Sequence, residues 1–120
     1  MTDKKPGPND AGFDHEAMLR KAIDVAVKAK AEGHMPFGAI LVGPDGEILM
    51  EQGNVFGDEG DHTGHAERVL MTRASIAYET DFLRGCTMYT SAEPCAMCAG
   101  SVYWTGVGRV VHGVTEHDLK

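Results

Sequence analysis

The chain has 120 residues, of which 42% are hydrophobic and 24% charged, and its formal net charge is −7. This length and composition are typical of one globular domain with a modest core. The chain shows no apolar run near the ~20 residues of a membrane span and no signal-peptide pattern, so we expect a cytoplasmic protein and not a transmembrane or secreted one.

The first helix is predicted after a loose tail. Residues 1–12 are polar and rich in Pro and Gly, so we expect them to precede a single domain over 13–120. Asp14 can cap a helix that runs to about Glu32. The apolar side chains of its inner face are expected to be Leu19, Ile23, Ala26 and Val27.

A β-hairpin and a second helix are predicted next along the chain. Strands are predicted at 37–42 and 47–52, because the turn signal Pro44-Asp45-Gly46 separates two apolar runs. A loop over 53–64 leads to a helix predicted at 65–79. Its apolar stripe is expected to contain Val69, Leu70, Ile76 and Ala77.

The last third of the chain predicts strand, helix and strand at 87–90, 95–104 and 109–113. The full order is αββαβαβ, which is typical of an α/β fold with a sheet between layers of helices. Ligands in such folds bind at the carboxyl ends of strands. Both chemistry-bearing segments described next follow a predicted strand or the loop after one.

Those two segments are His65-Ala66-Glu67 and Pro94-Cys95-Ala96-Met97-Cys98. His65, Cys95 and Cys98 offer three zinc ligands, and a catalytic zinc keeps its fourth position open for water. Cys95 and Cys98 share a helix face, and the helix N-terminus after Pro94 favours the thiolate. We therefore predict one Zn²⁺ per chain, and the need for two thiolates indicates a reducing compartment.

Glu67 is predicted to carry protons, not to bind zinc, because it leaves His65 in another direction and can reach a zinc-bound water. An H-x-E…P-C-x-x-C pattern with a non-ligand glutamate is the signature of zinc nucleobase deaminases. A structural zinc in a non-enzymatic interaction module is the alternative, and it needs a fourth ligand. Cys86 is expected in the core and His112 in a strand. His62 is expected to be a solvated loop side chain, and a contact with substrate is the less favoured alternative.

The charge pattern bears on the substrate. The loop before the second helix carries Asp58, Glu59 and Asp61, which would repel a phosphate backbone. We therefore expect a small-molecule nucleobase substrate in preference to a nucleic acid, and no membrane partner.

These motifs resemble the cytidine deaminase superfamily over about 13–113, within its purine-base and tRNA-adenosine branch. The segments 36–39, 89–95 and 100–104 are similar to bacterial guanine deaminases. The resemblance implies a three-layer α/β/α fold around a five-stranded mixed sheet. It also implies deamination of guanine to xanthine and ammonia, with tRNA adenosine, cytosine, a pterin or a triazine as alternative substrates.

The resemblance further implies substrate contacts by Asn54, Phe37, Trp104 and the backbone N–H of Ala66. From the residues alone, a turn role for Asn54, a core role for Phe37 and a packing role for Trp104 stay open. The family's fold continues past the strand at 109–113 with a fifth strand and further helices. We expect either a domain that lacks these C-terminal elements or a longer one, and an unpaired sheet edge would favour a homodimer.

Overall fold

The computed structural model describes residues 14–114, so the predictions for 1–12 and the last six residues lie outside the described part. The helices and strands follow the predicted order with one addition, a single helical turn before the third strand. Their bounds are α1 His15–Ala31, β1 Gly38–Val42, β2 Ile48–Gly53, α2 Ala66–Ala77, α3 Thr80–Leu83, β3 Thr87–Ala92, α4 Ala96–Thr105 and β4 Arg109–Val114, with a 3₁₀ turn at Asp58–Gly60.

The sheet has the strand order β2-β1-β3-β4. β1 pairs antiparallel with both neighbours, with Ile40 opposite Glu51 on one side and Tyr89 on the other. β3 and β4 run parallel and are joined through α4. The sheet is therefore mixed, as predicted, but the described residues contain four strands and not the five that the resemblance implied.

Helices cover both faces of this sheet. α1 packs on the face that carries Ile40 and Tyr89, whereas α2 lies on the face of Leu41 and Met88 with Leu70 against them. All five residues of β1 are buried, since strand neighbours flank it and helices lie above and below. The predicted three-layer α/β/α architecture is confirmed, and no helix in the range 14–114 is long and apolar enough to cross a membrane.

The inner face of α1 agrees with the prediction only in part. Ala26 is buried and Leu19 packs against the core, as predicted, but Ile23 and Val27 are 45% and 62% exposed and Ala22 is buried in their place. The reason lies in Gly38, because a Cβ added there would come within 2.5 Å of the backbone nitrogen of Ala26. The helix backbone rests directly on the start of β1, and this close approach admits only small side chains on the helix.

The apolar stripe of α2 also agrees with the prediction only in part, since Leu70 is buried as predicted but the last two positions are not. Ile76 is 82% exposed and Ala77 is exposed, because the helix turns these positions away from the sheet. Leu70, Met71 and Ala74 form the buried face. Their spacing of one, three and four residues is that of a helix face, whereas the predicted stripe mixed two faces.

Candidate active site

The candidate site lies at one edge of the sheet, where β1 begins and β2 and β3 end. The backbone N–H of Asn54, just after β2, donates a 3.0 Å hydrogen bond to the carbonyl of Phe37, just before β1. A cavity of about 170 Å³ opens beside this pair. The residues that line it are Met35, Phe37, Asn54, His65, Glu67, Ala92, Glu93 and Cys95.

His65 and Cys95 occupy equivalent positions on two helices. His65 is the N-cap residue of α2 and Cys95 that of α4, and neither side chain caps its own helix. Both side chains are therefore free to face each other. The Nδ1 atom of His65 lies 3.5 Å from the Sγ of Cys95 and 3.6 Å from the Sγ of Cys98.

This donor set fits zinc. A tetrahedral ion with Zn–S near 2.3 Å and Zn–N near 2.0–2.1 Å holds a nitrogen and a sulfur about 3.5 Å apart. The three ligand atoms all lie within 4.8 Å of one another. One imidazole and two sulfurs are also the ligand chemistry that zinc prefers, with one coordination position left over.

The charge balance of the site also favours a cation. Burial raises the pKa of the Cys98 thiol, and the neighbouring Glu67 and Cys95 raise it further. Three groups that can each become anionic thus share one buried region. A divalent cation among them would stabilise the thiolates, since a coordinated thiol is deprotonated outright.

Cys86 stands apart from this cluster. It is fully buried beneath α3, where its Sγ donates to the carbonyl of Phe82, and burial raises its pKa to about 11. Its predicted core position is confirmed. His112 lies in β4, also as predicted, and His62 is exposed and stacks on Phe56 with 5.5 Å between ring centroids.

Glu67 lies next to the three ligands but does not join them. Its side chain is almost completely buried, and its Oε2 accepts a 3.2 Å hydrogen bond from the hydroxyl of Thr90. The Sγ of Cys98 lies 3.9 Å from its Oε1. Burial raises the pKa of the Glu67 carboxyl, which brings it closer to neutral pH and suits it to exchanging protons.

The structure brings most, but not all, of the predicted substrate contacts together. Phe37 and Asn54 line the cavity, and the Asn54 Oδ1 accepts a 2.9 Å bond from the backbone N–H of Phe56, which fixes the orientation of the amide. Ala66 is buried and opens α2, where backbone N–H groups have no partner within the helix. Trp104 lies at the other end of α4, 84% exposed, and is not among the lining residues.

Two further residues belong to the site that sequence reasoning did not single out. Met35 lines the cavity, and its place two residues before Phe37 could have indicated this. Thr90 contacts Glu67 from β3, 23 residues away along the chain. Nothing local to Thr90 signals that contact, because it depends on how α2 lies across the sheet.

Comparison with known proteins agrees with this geometry. Residues 13–114 match the family model described as the cytidine and deoxycytidylate deaminase zinc-binding region. A probable cytosine deaminase of Schizosaccharomyces pombe is 44% identical over 86% of this chain and 62% of its own length. A tRNA-specific adenosine deaminase of Bacillus subtilis is 40% identical over 84% of this chain and 62% of its own length.

The solved structures give the same relationship. The crystal structure of Bacillus subtilis guanine deaminase superposes with a TM-score of 0.78 at 35% identity, over 89% of this chain and 68% of that one. A structure of the Nitrosomonas europaea guanine deaminase superposes with a TM-score of 0.75 at 27% identity, over 87% of this chain and 60% of that one. The chain thus spans about three fifths of the length of the two curated relatives above.

Proposed function

The chain belongs to the cytidine and deoxycytidylate deaminase family, and from this premise we propose that it deaminates a purine-type nucleobase hydrolytically, converting guanine and water to xanthine and ammonia. The observation that carries the proposal is the cavity in which Glu67 and the zinc ligands His65 and Cys95 lie beside Asn54 and Phe37. Guanine is the first candidate because the structure resembles guanine deaminases at 35% and 27% identity.

The cavity suits a small, flat ligand. Its volume of about 170 Å³ lies below the 300–1,000 Å³ of drug-sized sites. Met35 and Phe37 supply apolar walls, and Asn54 supplies an amide that can hydrogen-bond a base edge. Such a combination of apolar walls and few polar groups orients a heterocycle and excludes bulk water.

The ligand set and Glu67 divide the chemistry between them. Zinc held by His65, Cys95 and Cys98 would lower the pKa of a bound water from 15.7 to about 7. Glu67 accepts a proton from the attacking water at a carboxylate oxygen and passes it to a ring nitrogen. It then takes the second proton from the hydroxyl group added to the carbon and passes it to the amino group, so the C–N bond breaks, a carbonyl forms and ammonia leaves with both water protons accounted for.

Cytosine is the second candidate substrate. The observation that favours it is the 44% identity to a probable cytosine deaminase, which exceeds the 35% identity to the Bacillus subtilis guanine deaminase. The same ligands and the same Glu67 serve both bases, since each reaction replaces an amino group on a carbon next to a ring nitrogen. The choice therefore depends on how the base edge meets Asn54 and the apolar walls.

A tRNA substrate is less well supported by the surface charge. The loop that joins Asn54 to His65, both of which line the cavity, carries Asp58, Glu59 and Asp61. Binding a phosphate backbone requires cationic groups there. Arg68, the one cation at the start of α2, already pairs with Asp61.

The test is ammonia release by the zinc-loaded protein from guanine, cytosine, adenine, their nucleosides and a tRNA anticodon stem-loop. We expect release from guanine, and Glu67→Gln should lower kcat by at least the ~10²–10⁴-fold that general acid–base catalysis contributes. The exposed Glu51→Gln is the matched control, because it makes the same change on β2 away from the cavity.

Zinc content measured by mass spectrometry distinguishes a loss of catalysis from a loss of zinc binding. Glu67→Gln should keep one zinc per chain, since Glu67 is not a ligand. Release from cytosine alone would replace the first candidate by the second, and release from the RNA alone would overturn a free-base substrate. A zinc-loaded protein that is silent with every substrate would contradict the proposed deaminase and favour an interaction module.

A further inference from the structure

Arg68 is placed in a helix end where its charge is unfavourable. It is the third residue of α2, and a cation in the first turn of a helix opposes the helix dipole. The first turns of α1 and α4 contain no Lys or Arg. The first such residue of α1 is Arg20 in its second turn, and α4 contains none. The position of Arg68 therefore calls for interactions that offset this cost.

Nη1 of Arg68 donates to the hydroxyl of Thr72 in α2 at 3.1 Å, and the other two side-chain hydrogen bonds of Arg68 go to the turn that precedes the metal ligand. The Nη2 atom of Arg68 donates to Asp61 Oδ2 at 3.0 Å, and its Nε donates to the carbonyl of Thr63 at 2.6 Å. Asp61 in turn accepts from both the backbone N–H and the hydroxyl of Thr63, at 2.8 and 2.6 Å. The side chains of Arg68 and Asp61 thus both hydrogen-bond Thr63 and each other, which fixes the turn.

The turn is joined directly to His65. The Thr63 carbonyl that Arg68 holds also accepts the 2.8 Å bond from the backbone N–H of His65. The next carbonyl, that of Gly64, accepts from Val55, which leaves no room for a side chain at Gly64. The backbone of the ligand is therefore fixed by the same hydrogen bonds that fix the turn.

We propose that Arg68 and Asp61 form a positioning clasp that holds the 61–65 turn so that His65 keeps the geometry needed to bind zinc. This proposal rests on the zinc site of the proposed function and not on the identity of the substrate. Partners one step beyond the ligands orient the ligands, and removing them costs about 10–100-fold in metal affinity. The clasp is a positioning device and touches neither zinc nor substrate.

The decisive experiment measures the zinc dissociation constant of the full chain by competition with a chromophoric chelator. Arg68→Met keeps the aliphatic length but removes every donor, so we expect zinc affinity to fall about 10–100-fold. Arg68→Lys keeps the charge but cannot bond Asp61 and Thr63 together, so it should recover only part of the loss. Arg20→Met is the matched control, because it removes an exposed ion pair with Glu16 on α1 and should bind zinc like the unchanged protein.

A cobalt-loaded sample gives a readout that stability alone does not move. The visible d–d bands of Co²⁺ report ligand geometry, and we expect them to shift in Arg68→Met and Asp61→Ala but not in Arg20→Met. Equal zinc affinity and equal bands in all variants would overturn the clasp while leaving the deaminase proposal standing. A starting protein that binds no zinc would overturn both, and if Arg68→Met fails to fold, Asp61→Ala decides by the same two measurements.

Discussion

At the scale of single residues, a buried hydroxyl group positions the proposed proton carrier. Thr90 lies in the middle of β3 with 1% of its surface exposed, and it donates to the Glu67 carboxylate. In this buried setting the hydrogen bond to an ionised group is worth about 1.5–3 kcal/mol. Without it, the carboxylate would lose one of the contacts that hold it against the ligand cluster.

Thr90→Val therefore tests this contact with almost no change of shape. We expect kcat to fall about 10–100-fold, the equivalent of ~1.5–3 kcal/mol, with KM nearly unchanged. Steady-state kinetics on the preferred base would measure it. An unchanged kcat would show that Glu67 does not need this hydroxyl.

The same strand offers a matched control in Thr87. Its hydroxyl is buried and has no hydrogen-bond partner among the described residues. Thr87→Val should leave kcat unchanged and raise the free energy of unfolding by about 1 kcal/mol, because a buried unpaired hydroxyl carries a desolvation cost.

At the scale of elements, the contact between α1 and β1 positions one wall of the cavity. Gly38 lies against the backbone of α1 and donates its N–H to the hydroxyl of Ser91 at 3.1 Å. Phe37, the residue before it, lines the cavity. A displacement of α1 would therefore move a wall of the candidate site.

Gly38→Ala should lower the free energy of unfolding by about 1–3 kcal/mol, because its Cβ would overlap backbone atoms of α1 that cannot move aside. Urea denaturation followed by circular dichroism measures the change. Gly100→Ala is the control: the described residues place no atom within 4 Å of its Cβ, and alanine in a helix should stabilise by about 0.5–1 kcal/mol. Equal stability of the two variants would contradict the close packing of α1 on β1.

At the scale of the whole molecule, the exposed end of α4 bears on association. Tyr103 and Trp104 are 76% and 84% exposed and contact each other edge to face, with ring centroids 5.2 Å apart. Large aromatic side chains are enriched at protein interfaces, and contiguous exposed apolar patches mark interaction sites. We propose that this aromatic pair contributes to a homodimer.

Light scattering coupled to size exclusion should then give twice the mass of one chain, and Trp104→Ser should shift the protein towards the monomer. Ile76→Ser is the control, since it removes a single exposed apolar side chain from α2. A monomer at every concentration, or equal dimer content in both variants, would contradict the proposal.

The sequence alone determined the order of the elements and the residues of the proposed chemistry. His65, Glu67, Cys95 and Cys98 lie in short motifs at helix starts, and both capping positions and ligand spacing are local properties that a chain displays without folding. Alternating apolar runs and turn residues likewise predicted the strand ends to within two residues, and the largest difference is at β3, which extends two residues further, to Ala92.

Only the tertiary structure decided which faces are buried and what supports the site. The approach of α1 to Gly38 buried Ala22 beside the predicted Ala26 and left Ile23 and Val27 exposed, and the passage of α2 across the sheet joined Thr90 to Glu67. These contacts link residues 12 to 23 positions apart, so they depend on sheet register and helix placement. A local pattern encodes which residues can react, whereas the distances between distant segments exist only once the chain has packed.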